Sequence, residues 1–388
     1  MLREGFRPFF LGSGLFAVLG MILWFGYFQI GWSLPVAAPP ALWHGHEMIF
    51  GFVAATIAGF ILTALPNWTG TAPVAGRWLA VLVVLWVLGR LLLATSAIWP
   101  AGLVAVIDVA FLVSLAGYVG WALIESQNWR NLVFLIALSA VIGGNVLFHA
   151  EQLDLVEDGG SDGLRLALNG IVLLITIIGG RIVPAFTRNA LEREGIAHDI
   201  KQQKWLDVAV IIAVFAIIPA DLFARGTFTA AAVTLVAAIL SALRFLTWQS
   251  ERTLGMPIVW SLHLGYLWLI LGLLLKGLAA SLPSLAGIVW IHAITIGAVG
   301  TMILAVMTRA TLGHTGGALV ASRTTAIAYG AVSVSAVARI IAPEVPDALY
   351  LFFLGLSAVA WIAVFTTFVV EFWPRLTGSR DAGPQTDG

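Results

Sequence analysis

The chain has 388 residues, of which 60% are hydrophobic and only 10% are Asp, Glu, Lys or Arg; soluble chains carry about 25% charged residues, so this composition reads as an integral membrane protein. Net charge is zero and no basic run occurs, which argues against nucleic acid as a partner. The absence of cysteine excludes disulfides, iron–sulfur clusters and thiolate metal sites, and leaves His, Met and carboxylates as metal ligands.

A spanning helix needs roughly 20 apolar residues. Along the chain the runs that meet this are Phe9–Ile30, Leu42–Leu65, Trp78–Ser96, Pro100–Ile124, Leu132–Leu153, Leu164–Pro184, Trp205–Phe223, Thr227–Trp248, Pro257–Ser281, Leu285–Met307, Thr324–Ile341 and Ala348–Phe372. The first is longer than a signal-peptide core and lacks a convincing cleavage site, so it reads as a retained anchor. The expected fold is all-α, a polytopic membrane helix bundle of about 12 spans. One transmembrane domain covers residues 1–376, and residues 377–388 form a short, polar, disordered tail.

Loop cations set the expected orientation. With the N-terminus inside, Arg3, Arg7, Arg77, Arg130, Arg181, Arg188, Arg193, Lys201, Lys204, Arg244, Arg252, Arg309, Arg323, Arg375 and Arg380 lie at the inner side, whereas Arg165 and Arg225 lie outside. The outer loop with Asp154, Glu157, Asp158 and Asp162 is acidic. Both termini are therefore expected to be cytoplasmic.

This topology places Arg90, Lys276, Arg339, Glu47, Asp108, Asn169, His44, His46, His149 and His292 in the outer half of the bilayer, from several different spans. An ionisable group near the membrane centre costs about 2.5–3.5 kcal/mol on insertion scales. Each residue alone has an ordinary reading. His44, His46 and Glu47 suit a wetted helix start, Arg90, Lys276 and Arg339 suit snorkelling, and His149 and His292 suit hydrogen-bonded core positions. Their convergence is what points to a site.

Helical geometry refines the set. Successive residues turn by about 100°, so His44 and His46 point to opposite sides and do not readily bind one metal together. Glu47 shares a face with His44 and suits an acceptor that orients an imidazole. Asn145 and His149 are one turn apart, as a ligand and its support are. In the tenth span His292, Thr295 and Met302 fall near one stripe, where Gly297 and Gly300 permit close approach of backbone or macrocycle. His263, with Tyr266 on the same face, lies roughly 10 Å from the inner boundary and is either a ligand or proton path, or a packed polar pair. His314 reads as a solvated inner-loop histidine.

The stretches GFRPFFLGSGLF, WHGHEMIFGFVAATIAGFILTALPNWTG, GGRIVPAFTRN and HAITIGAVGTMILAVMTRATLGHTG together resemble the NnrS family over essentially the whole chain. The resemblance implies a twelve-helix protein of the bacterial inner (cytoplasmic) membrane that contains haem (haem b) and copper and is linked to nitric oxide metabolism, denitrification and resistance to nitrosative stress. Neutral imidazoles bind both haem iron and copper. The expected metal ligands are His44, His149 and His292, with His46 and His263 further candidates and Glu47, Asn145 and Tyr266 in support. Arg90, Lys276 and Arg339 suit haem propionates.

Two functional classes follow. One is a haem/copper oxidoreductase-type protein that binds or turns over nitric oxide, with reduction of NO to N2O as its most concrete reaction and an electron donor that the sequence does not name. The other is a proton-coupled secondary transporter, or an NO or redox sensor without turnover, with Glu47, Asp108 and Lys276 as the coupling site. Membrane lipid surrounds the protein in either case.

Overall fold

The structure, a computed structural model, describes residues 1–200, 202–279, 282 and 287–378. Lys201, Arg380, the span boundaries at Ser281 and Leu285, and residues 379–388 of the expected tail lie outside the described residues.

Among the described residues 12 helices are long and apolar enough to cross a membrane, and no strand occurs. They are α1 (Phe6–Ile30), α2 (Pro40–Thr69), α3 (Gly76–Ala94), α4 (Ala101–Glu125), α5 (Trp129–Gln152), α6 (Gly159–Arg193), α7 (Lys204–Phe223), α8 (Phe228–Leu246), α9 (Pro257–Ala279), α10 (Ile288–His314), α11 (Arg323–Glu344) and α12 (Asp347–Thr377). Leu15, Leu91, Val106, Ile212, Leu246 and Phe352 are among many exposed large apolar residues. So many exposed apolar side chains suit hydrocarbon rather than water, and the chain is a multi-pass membrane protein.

Three helices run well past their apolar runs. α6 continues through Pro184 for 35 residues, about 52 Å at 1.5 Å per residue, because the following RNALER segment is rich in good helix formers. It stops before Gly195, whose φ of +66° is the left-handed turn that glycine adopts without strain. α12 reaches Thr377, and α10 reaches His314. His314 is therefore not a loop residue, as expected, but the last residue of a helix, with its ring 5.5 Å from that of Phe6.

The chain forms two compact units. The first comprises the described residues of Met1–Ala167, Met307–Leu319 and Phe365–Gly388, and the second comprises those of Leu168–Val306 and Val320–Val364. In the first, a phenylalanine-rich interior including Phe6, Phe9, Phe10, Phe52 and Phe111 holds α1, α2 and α4 together. In the second, Trp268 and Trp361 lie over Gly297 and Gly300 of α10, so closely that a Cβ at either glycine would fall 2.5 or 2.8 Å from the indole.

π-Helical turns occupy Gly26–Ile30, Glu47–Val53 and Ala293–Gly300. The last two begin immediately after His46 and His292, and π-turns inside α-helices are frequently found at functional sites.

Candidate metal centre

The site in the first unit starts with the local conformation of α2. Pro40 opens the helix, where its missing N–H is not needed. Beyond His46 the backbone widens into the π-turn, and His46 and Glu47 both become buried, at 0% and 2% exposure. Carbonyls of the widened turn find side-chain donors: Ser13 Oγ donates to Phe52 O at 2.9 Å, and the Trp86 indole donates to Gly51 O at 2.9 Å. Gly51 is needed here because a Cβ would sit 2.3 Å from the Phe16 ring.

Asp108 of α4 is the hub of the site. Its Oδ1 accepts from Arg90 Nη2, while Oδ2 lies 2.9 Å from Asn145 Nδ2, 3.0 Å from His149 Nε2 and 3.1 Å from His46 Nε2. Asn145 Oδ1 in turn lies 2.9 Å from His46 Nε2. Arg90 also donates through Nη1 to Glu47 Oε1, which is 3.4 Å from His46 Nδ1. All six residues are buried. Two carboxylates face one guanidinium, so one proton or one bound cation balances the charge in a medium that solvates ions poorly.

One ligand atom each from His46, Asp108 and His149 lies within 4.8 Å of the others. Bonds of about 2.0–2.2 Å around a tetrahedral ion hold ligand atoms a little over 3 Å apart, and the Nε2–Oδ2 distances of 3.0 and 3.1 Å are already close to this. The set fits a small cation. It does not fit haem, because the His46 ring is packed at 4.3 Å from Phe148 and 4.5 Å from Phe50, and both Nε2 atoms face the same carboxylate oxygen. Glu47 and Arg90 then act around the ligands, holding His46 and Asp108 in place.

Several expectations change. Glu47 faces His46 rather than orienting His44, which stacks on Trp24 with ring centroids 4.5 Å apart. Arg90 neither snorkels nor stands ready for a propionate, since both terminal nitrogens bind carboxylates inside the unit. Asn145 supports the cluster by joining His46 to Asp108, the same carboxylate that His149 contacts.

The remaining expected site residues lie in the second unit, in separate settings. Lys276 donates to Asp221 Oδ2 and to Asn169 Oδ1 at 3.1 Å, and Asn169 Nδ2 donates to Asp221 at 2.7 Å. His263 Nε2 lies 2.8 Å from Thr187 Oγ1, and its Nδ1 is buried without a hydrogen bond. Tyr266 is not joined to His263: its hydroxyl accepts from Arg244 Nε at 3.1 Å. His292 Nδ1 donates to Ile288 O at 2.7 Å, which leaves the lone pair on Nε2, the arrangement common in metal-bound histidine. Arg339 Nη1 is buried without a hydrogen-bond partner. The flat groups seated on Gly297 and Gly300 are tryptophan rings, not a macrocycle.

Sequence reading gave Asp108 too small a part and passed over Asp221. A signal existed: Asp108 and Arg90 each interrupt an apolar run, in AVIDVAF and VLGRLLL, and opposite charges inside neighbouring spans tend to pair.

No curated protein matches the chain. The model of the NnrS family, described as NnrS protein, matches residues 1–380, nearly the whole length, so the chain belongs to the NnrS family, membership of which suggests a nitric-oxide-related membrane protein.

Proposed function

We propose that the protein is a copper- and haem-containing membrane protein that binds nitric oxide and reduces it to nitrous oxide. The observation that carries this reading is the buried His46–Asp108–His149 set in a chain of this family. Copper is the cation proposed for that set, because two imidazoles and one carboxylate oxygen suit it and the chain has no thiolate to offer.

For haem, His292 is the favoured ligand, through Nε2, and Arg339 offers a buried N–H to a propionate. When bound, these groups supply the redox-active centres at which nitric oxide is held. Joining two nitric oxide molecules into nitrous oxide consumes two electrons and two protons and releases water. With Nε2 given to the cation, His46 would hold a proton on Nδ1, 3.4 Å from Glu47 Oε1, while Arg90 fixes Asp108 from its other oxygen.

The test is metal and haem analysis of the purified protein, with its visible and paramagnetic resonance spectra before and after nitric oxide. His149→Ala is expected to lose copper and keep haem. His292→Ala is expected to lose or strongly alter haem, with His314→Ala as the control that leaves the spectrum intact. A folded, colourless, metal-free protein would overturn the proposal and favour the transporter reading, for which the buried Glu47–Arg90–Asp108 network is the supporting observation.

A further inference from the structure

The polar cluster of the first unit is capped by a carbon layer built from the same helices. Trp43 lies three residues before His46, Leu93 three after Arg90, and Val104 four before Asp108, each about 5 Å further along its helix. α2 begins, α3 ends and α4 begins at this end, so the three displacements run in the same direction. Phe148, adjacent to His149, joins the layer and touches the His46 ring. Ala38 covers it from the α1–α2 connection, with Leu34, Val36 and Leu164 packed around.

The cover is lightly tied. Ala37 N–H donates to Ser96 Oγ at 2.9 Å, and Ala97 N–H donates to Pro35 O at 3.0 Å. Within the layer, the Trp43 indole N–H is buried and has no hydrogen-bond partner. Of the five buried side chains of the layer only Trp43 carries a hydrogen-bonding group, whereas an ordered internal water needs two to four polar partners. A hydrated ion would have to shed its shell against carbon, at a cost far above that of a neutral molecule. Small uncharged molecules pay no such penalty.

We propose that Trp43, Leu93, Val104 and Phe148, under Ala38, form a hydrophobic gate that admits small neutral molecules to the polar cluster and holds back ions. These residues then set what reaches the site, while the residues beneath set what happens there. The proposal rests on the reading of the cluster as the functional site, but its test needs no bound metal, so failure of the gate and failure of the metal assignment are separate results.

The chain has no cysteine, so one introduced thiol is the only one present. Asn145→Cys places it in the polar layer, and Leu155→Cys on an exposed turn is the reference. Each is treated in liposomes with a neutral and a cationic methanethiosulfonate of matched size, and the neutral-to-cationic rate ratio at Asn145→Cys is divided by that at Leu155→Cys. The expected value is at least tenfold above one, falling towards one when Val104→Asn is added. A value near one with the layer intact, a value that Val104→Asn leaves unchanged, or no reaction with either reagent overturns the gate. If Asn145→Cys does not fold, His149→Cys carries the same comparison with the same outcomes.

Discussion

Asp108→Asn is the most informative single change, because it keeps the side-chain volume and removes the charge at the hub. Asp108 accepts from Arg90 on one oxygen and meets Asn145, His149 and His46 at 2.9, 3.0 and 3.1 Å on the other. With Asn, one terminal atom becomes a donor that faces either the guanidinium or this group of nitrogens, and Glu47 is left as the charged partner of Arg90 within the cluster. Hydrogen bonds to charged groups contribute about 1.5–3 kcal/mol each; four added together would rival a typical total stability of about 5–15 kcal/mol, so they are not additive. The better measure is loss of one partner from a buried ion pair, about 3–5 kcal/mol. That is the destabilisation expected from unfolding curves of purified protein in one detergent, together with loss of bound metal. Adding Arg90→Met removes the guanidinium that lost its Asp108 charge, so the double variant is expected to be less destabilised than the sum of the two single changes by about 1–3 kcal/mol. A loss below about 0.5 kcal/mol for Asp108→Asn, or additivity within about 0.5 kcal/mol, would refute the network.

Lys276→Met strands Asp221, whose side chain is 14% exposed, and is expected to destabilise the protein by about 3–5 kcal/mol. Lys276→Met with Asp221→Leu is expected to recover most of that loss in the same unfolding assay, because neither charge is then left without its partner. Reporter fusions after Asp158 and after Leu282 are expected to read periplasmic, and fusions after Glu194 and at the C-terminus cytoplasmic. The reverse pattern would place the carbon layer and the cluster beneath it at the cytoplasmic face.

The sequence by itself determined the environment, the number of spans and their order, because a long apolar run has few stable alternatives to a helix in hydrocarbon. It also determined that His44 and His46 diverge, since two residues of helical turn separate them. Which of the two faces inward was decided by tertiary packing: Gly45 lies so close to Leu164 that a Cβ there would sit 2.8 Å from Leu164 Cδ1, and His46 is directed towards Asp108 while His44 stacks on Trp24. The partners of Asp108 were equally beyond reach of periodicity. His46 and Asn145 are 99 positions apart and Arg90 and Glu47 are 43 apart, and helical periodicity gives the direction of a side chain about its own axis, not the neighbour it meets. The π-turn after His46 adds to this, because it alters the angular step just where the site begins. Only the packed unit, in which buried charges must find one another, decides that these side chains converge on a single carboxylate.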